Sequence, residues 1–244
     1  MYKCSINVKH AINRLALNAI IVFFLFFLVG QQGAYGQQLN PDKRLSQYVL
    51  HGWTTEDGLT SESVNEIAQT NDGYIWIGTY TGLHRFDGKD FTVYTSQNSK
   101  LPSSNVLRIQ QGRTNELWLG TLHGIARFKD GQFYVPPALE AVKDLSIEQM
   151  LITQNGDLWF SSKSNRLFRF QTLKLFELTS EFGGEKSTIN SIAEDRDGNI
   201  FFGTDDSRFL RYSPDGIVKN NQLDTDLNGI NSMIYHRGLI YLGT

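Results

Sequence analysis

The feature that most limits how this chain can fold is a period. Ile75-Trp76-Ile77-Gly78-Thr79 recurs as Leu117-Trp118-Leu119-Gly120-Thr121 and as Leu158-Trp159-Phe160-Ser161-Ser162. It recurs again as Ile200-Phe201-Phe202-Gly203-Thr204 and as Ile240-Tyr241-Leu242-Gly243-Thr244. The central aromatics are spaced by 42, 41, 42 and 40 residues. Two further markers keep the same register. One is an Arg-aromatic pair: Arg85-Phe86, Arg127-Phe128, Arg169-Phe170 and Arg211-Tyr212. The other is the apolar residue that opens each unit: Val64, Val106, Ile147, Ile189 and Ile230. Three markers in one register identify a repeat architecture.

Within a unit the pattern predicts short strands separated by turns. In the first copy, strands are expected at 64–70, 74–79, 83–86 and 91–94, with Asn71-Asp72-Gly73 and Asp87-Gly88 as turns. Further turns are read at Asp130-Gly131, Asp197-Gly198 and Asp215-Gly216. Gly adopts positive φ freely and Asp tolerates it, which tight hairpins require. Four strands in about 40–45 residues mark a propeller blade. The predicted class is all-β: a β-propeller of four-stranded antiparallel blades, its ring incomplete, preceded by an N-terminal signal helix.

Packing follows from that class. The two inner strands of a blade meet neighbouring blades on both faces, so their central residues are expected to be apolar. The Trp is expected to fill the space between sheets, and the Gly after it to permit close backbone approach. The repeated Arg is expected over a neighbouring aromatic or paired with a turn Asp. Repetition at one register assigns these side chains to packing.

Composition narrows the function. Hydrophobic residues make up 40% and charged residues 20%, which excludes a disordered chain and one made mostly of membrane spans. The formal charge of −2 offers no basic balance for a phosphate backbone, so nucleic acid is not an expected partner. The single cysteine, Cys4, excludes an internal disulfide and a Cys-based metal cluster.

The N-terminus reads as an address. Lys3, Lys9 and Arg14 precede an unbroken apolar run from residue 19 to 29, and Ala34-Tyr35-Gly36 has the form of a cleavage site. The run is short for a bilayer core, which needs about 20 helical residues. Residues 1–36 are read as a signal peptide, with an uncleaved anchor as the alternative. Their loss would leave 20 Lys+Arg against 25 Asp+Glu. Residues 37–44 are read as a linker. A domain exported without disulfides must rely on its core.

The units resemble two-component regulator propeller repeats. The matching residues are Asp57-Gly58-Leu59, Val64, the run from Asp72 to Thr79, Gly82-Leu83, Arg85-Phe86-Asp87-Gly88 and Phe91. The lead-in, Leu45-Ser46-Gln47-Tyr48 with the run from Trp53 to Leu59, resembles the start of a first repeat. Copies three to five depart from the pattern at Ser161-Ser162, Phe201 and Tyr241, keeping smallness or apolar bulk. The resemblance implies a periplasmic sensor region. It implies continuation into a β-sandwich, a transmembrane helix and a cytoplasmic output, either a histidine kinase or a diguanylate cyclase. It leaves room for a homodimer of the full-length protein in the inner membrane.

Blades are expected at 64–105, 106–146, 147–188 and 189–229, with a partial fifth at 230–244, all within a propeller region spanning 45–244. Residues 46–53 are read as a lone strand-four equivalent. That count leaves one strand short of a fifth blade, so an open arc is expected, and the chain reads as part of a longer sensor.

Chemical motifs are sparse. Asp195-Arg196-Asp197-Gly198-Asn199 resembles the front of a calcium loop, but its Gly is fourth where such a loop needs it sixth, so a hairpin turn is preferred. His51, His84, His123 and His236 lack a second His at metal spacing. No hydrolase, zinc-protease or phosphate-loop signature is present, and no cofactor is expected. Binding residues concentrate on loops carried by a rigid scaffold. The candidate ligand site is therefore the face bearing the loops after strand two (Tyr80, His123, Lys163, Asp205 and Asp206), together with stretches 95–105, 135–146, 177–188 and 218–229. The expected partner is a small molecule, with a saccharide as one option. An exported propeller enzyme acting on glycans and an interaction scaffold remain alternatives.

Overall fold

The computed structural model describes residues 44, 46, 51–182, 186–216, 218–222 and 229–244. The signal segment 1–36 and nearly all of the linker lie outside the described residues. So does most of the strand expected at 46–53, and its described end, residues 51–53, carries no strand. No helix among the described residues is long and apolar enough to cross a membrane.

Among the described residues, eighteen strands alternate with turns in repeat order. The first blade comprises β1 (Val64–Gln69), β2 (Ile75–Thr79), β3 (Leu83–Phe86) and β4 (Phe91–Tyr94). The second comprises β5 (Val106–Gln111), β6 (Leu117–Thr121), β7 (Gly124–Lys129) and β8 (Gln132–Tyr134). The third comprises β9 (Ile147–Ile152), β10 (Leu158–Ser162), β11 (Leu167–Gln171) and β12 (Lys174–Glu177). The fourth comprises β13 (Ile189–Glu194), β14 (Ile200–Thr204), β15 (Arg208–Tyr212) and β16 (Val218–Gln222). A hairpin, β17 (Ser232–His236) and β18 (Leu239–Gly243), follows. Each sheet is an antiparallel meander in chain order. The inner strands β1, β5, β9, β13 and β17 contact one another in sequence, leaving an arc open between first and last.

The Trp expectation holds at the three junctions between complete blades. Trp76 is buried among Val106, Ile109 and Leu117 of the second blade. Trp118 is buried among Ile147, Met150 and Leu158, and Trp159 among Ile189, Ile200 and Phe202. The following glycines sit where a side chain would collide. A Cβ on Gly120 would lie 2.5 Å from Met150 Sδ and 2.8 Å from Ile147 Cγ2, and one on Gly78 would lie 3.1 Å from the Val106 carbonyl. The Thr after each Gly is buried and donates across its hairpin, Thr79 to the Gly82 carbonyl and Thr121 to that of Gly124. The repeated Arg does both things expected of it. Arg85 lies 4.5 Å over the Tyr74 ring. Arg127 lies over Trp118 and pairs with Glu116 at 3.1 Å, and Arg169 lies over Trp159 and pairs with Asp157 at 2.7 Å.

Three expectations need correcting. First, the inner strands are not apolar throughout. Their register with strand two skips one residue, at Asn65, Leu107, Glu148 and Asn190. This β-bulge turns residues three apart onto one face, where an unbroken strand would set them on opposite faces. Val106 and Ile109 thereby both pack on Gly78, and Ile147 and Met150 both on Gly120. The residue between them is polar in every unit: Glu66, Arg108, Gln149, Ser191 and Ser232. Second, the stretch 218–229 is not all loop, because β16 occupies Val218–Gln222 and pairs with β15 throughout. Its sequence, Val-Lys-Asn-Asn-Gln, has no apolar alternation to reveal it. Third, the stretches 135–146 and 177–188 contain 3-10 turns at Pro137–Val142 and Thr179–Phe182. Leu139, Val142, Leu178 and Phe182 on these stretches are buried and close the gaps between blades.

Candidate functional site

The polar third residue of each repeat unit gives the arc a lined hub. Glu66, Arg108, Gln149, Ser191 and Ser232 surround a cavity of about 390 Å³, joined by Asn65, Asn190 and Asn231 from the preceding position. Bulges commonly re-aim side chains beside functional sites, and here they deliver one polar group from each complete blade to the cavity, which Ser232 joins from the unbulged last hairpin.

Several of these groups are fixed by neighbouring blades. Asn65 Nδ2 donates to the Val106 carbonyl at 2.8 Å, and Glu66 Oε2 accepts from the Ile109 amide at 2.8 Å. Arg108 donates to the Leu107 carbonyl at 2.7 Å. Burial raises the Glu66 carboxyl above its ordinary value, while the Ile109 amide, Arg108 and Gln110 act in the opposite direction. The lining thus holds one acid, one base, four amides and two hydroxyls. Ile192 and Met233 add apolar surface to it.

The five residues expected from sequence occupy the loops after strand two, at one end of the blades, and none of them lines the hub cavity. Tyr80, His123 and Lys163 are exposed. Asp205 accepts from the Thr188 amide at 2.9 Å. Burial acts to raise the Asp206 carboxyl, but hydrogen bonds from Ser187, Thr204 and Arg208 hold it below its ordinary value. Both aspartates tie the β14–β15 loop to the segment entering β13. That tie has a backbone counterpart in other blades: the residue after the Gly-Thr or Ser-Ser pair donates to the residue preceding the inner strand, Leu122 to Asn105 and Lys163 to Ser146. The loop face and the hub are therefore held together by the ends of the same inner strands.

His84 is fully buried, and its Nε2 accepts from the Thr60 amide at 3.0 Å. Desolvation lowers its pKa, keeping the ring neutral as that acceptor role requires, although the Ile77 carbonyl acts to raise it. The Asp195 carboxylate accepts from the amides of Asp197 and Asn199 and from Asn199 Nδ2. It closes its own turn.

The hub residues escaped the sequence reading, although a signal for them was present. The third residue after the unit's start falls at a fixed place in every copy and is polar each time. An expectation of uniformly apolar inner strands hid it.

Comparisons with known proteins agree with this architecture. The family description "two component regulator propeller" matches residues 58–81 and 183–206. A curated relative, Histidine kinase P4 of Formosa agariphila, is 43% identical over 49 residues, which is 20% of this chain and 4% of the relative. Among solved structures, the extracellular domain of BT3049, assigned as a hybrid two component system of B. thetaiotaomicron, aligns at TM-score 0.65 with 24% identity. That alignment covers 80% of this chain and 27% of the other. Virginiamycin B lyase from Staphylococcus aureus aligns at TM-score 0.60 with 18% identity, over 73% of this chain and 62% of the lyase. These structural likenesses establish the fold. The chain spans only a small part of the signalling proteins it matches, and its segments 58–81 and 183–206 are similar to two-component regulator propeller repeats.

Proposed function

We propose that this chain is part of the extracytoplasmic sensor of a bacterial signalling protein, and that its hub takes up a small, hydroxyl-rich ligand of the saccharide class. The observation that carries the reading is the ring of amide and hydroxyl side chains set around one cavity by the repeated bulge. Amides and hydroxyls both donate and accept, which suits neutral polyols. The likeness to a histidine kinase and to a hybrid two component system supports a signalling context. Occupancy would be reported to a kinase or cyclase output in the full-length protein.

A thermal-shift screen of mono- and oligosaccharides tests this, because a ligand bound only by the folded state raises the melting midpoint. A saccharide is expected to raise it in the native chain and to lose most of that effect in Gln149→Ala. A screen without any shift, or a shift unchanged in the hub variant, would overturn the hub assignment. Turnover of a polysaccharide would replace sensing by catalysis.

A further inference from the structure

We propose a second ligand site, independent of the hub, in the crevice between the third and fourth blades on the face of the β1–β2-type turns, and assign it to organic ammonium ions. The crevice has a volume of about 350 Å³ and is bounded by the turn before β10, the turn before β14 and the turn after β15.

The repeat supplies its own control. In each blade one cross-strand row packs on the preceding blade. Gln111, Leu117 and Phe128 form that row in the second blade, and Ile152, Leu158 and Phe170 in the third. In the fourth blade the row is Glu194, Ile200 and Tyr212. Directly opposed residues share a face, so both departures, a carboxylate and a phenol, point into the crevice. Tyr212 still packs on Trp159 at 5.0 Å, as Phe128 does on Trp76 at 4.9 Å. The ring is therefore structural, and the hydroxyl is what this blade adds.

Arg169 and Arg196 line the crevice with Asp157, Asp197 and Glu194, which leaves one carboxylate in excess, and Arg169 also donates to the Tyr212 hydroxyl at 3.5 Å. Asp157 is matched by Arg169, and Arg196 lies 3.8 Å from Asp197. Among the described residues no salt bridge reaches Glu194, whose Oε2 accepts from the Gln154 amide at 2.7 Å. Burial raises its pKa, and Asp195 and Asp157 add to that against the Gln154 hydrogen bond. A half-buried carboxylate near Asp195 and Asp157 is favoured by a cation that joins it. An ammonium group set against Glu194 would relieve that repulsion, with its carbon body lying along Ile200, Tyr212 and Pro214. A primary amine could belong to an alkyl chain or to an amino sugar, and the two are separable by experiment.

Calorimetric titrations with cadaverine, glucosamine and neutral glucose test the assignment on the native chain, Glu194→Gln and Tyr212→Phe. Glu194→Gln installs the residue that the first and second blades carry at this row, so folding is expected to survive, and circular dichroism checks it. At least one amine should bind saturably, weaken about tenfold or more in Glu194→Gln and weaken less in Tyr212→Phe. Cadaverine alone would identify an alkylammonium site and glucosamine alone an amino-sugar site. The proposal is overturned if neither amine saturates, if glucose binds as well as glucosamine, or if Glu194→Gln binds like the native chain.

Discussion

The first and second blades carry nearly the same inner-strand pattern and meet different fates. Val106 and Ile109 of the second blade are 0% and 2% exposed, whereas Val64 and Ile67 of the first are 43% and 61% exposed. Tyr241 of the last hairpin, at the tryptophan position, is 51% exposed, against 2% for Trp76. The strands and bulge are the same, so local sequence dictates the backbone while the neighbouring blade dictates burial. Stability in such an array is a sum of unit terms and nearest-neighbour terms. Here the neighbour term includes a knob-and-glycine contact at Gly78, Gly120 and Gly203, with Ser161 standing at that position in the third blade.

The sharpest test of that contrast pairs Ile109→Ala with Ile67→Ala. The former is expected to cost about 2–5 kcal/mol by urea unfolding and the latter under about 0.5 kcal/mol. Equal costs would mean that the outer face of the first blade is covered in solution. Next comes Gly120→Ala, whose new methyl would collide with Met150 and Ile147. It should lower stability by about 1–3 kcal/mol, and a neutral result would show that the junction can open without loss.

Acid unfolding separates the junction ladder from the hub. Burial acts to raise the Glu116 carboxyl, but Thr114, backbone hydrogen bonds and Arg127 hold it below 4.5. Its contribution is therefore present above the unfolded value and lost as pH falls through the folded one. Glu116→Gln should cost about 1–2 kcal/mol at neutral pH, with the difference vanishing in acid. Glu66 has the opposite sign: its raised folded value makes ionisation unfavourable as pH rises. Glu66→Gln should leave neutral-pH stability unchanged or improved.

A modest gain is expected in a turn. Thr172 and Leu173 hold φ of 50° and 62° between β11 and β12, where the second blade uses Asp130-Gly131. Leu173 is 76% exposed, so Leu173→Gly removes strain without losing packing and should add about 1 kcal/mol. A loss would show that the exposed leucine is held by something in solution.

The third-blade turn also marks where sequence reading reaches its limit. Blade number, strand order and the roles of the Trp, the glycines and the repeated Arg were legible, because each is a local rule repeated until it cannot be missed. Strand β16 was not, because its pairing comes from a neighbour already in the sheet and not from its own residues. The hub was half legible: its polar positions stand in register, but the bulge that aims them is a backbone event without a residue signature. The loop residues were placed correctly on their turns, yet the staple made by Asp205 and Asp206 depends on Ser187 and Thr188 across a connection the sequence leaves open.

Every hydrogen-bonded strand pair among the described residues joins neighbours in the chain. The consequence concerns time rather than shape. No ladder waits for a distant segment, so each meander can close as soon as its own forty-odd residues are available, with little loop entropy to overcome. A chain delivered end first can lay down one finished blade as the template for the next, leaving unpacked faces only at the two ends of the growing arc. That order of assembly limits how much apolar surface a half-made molecule presents to others.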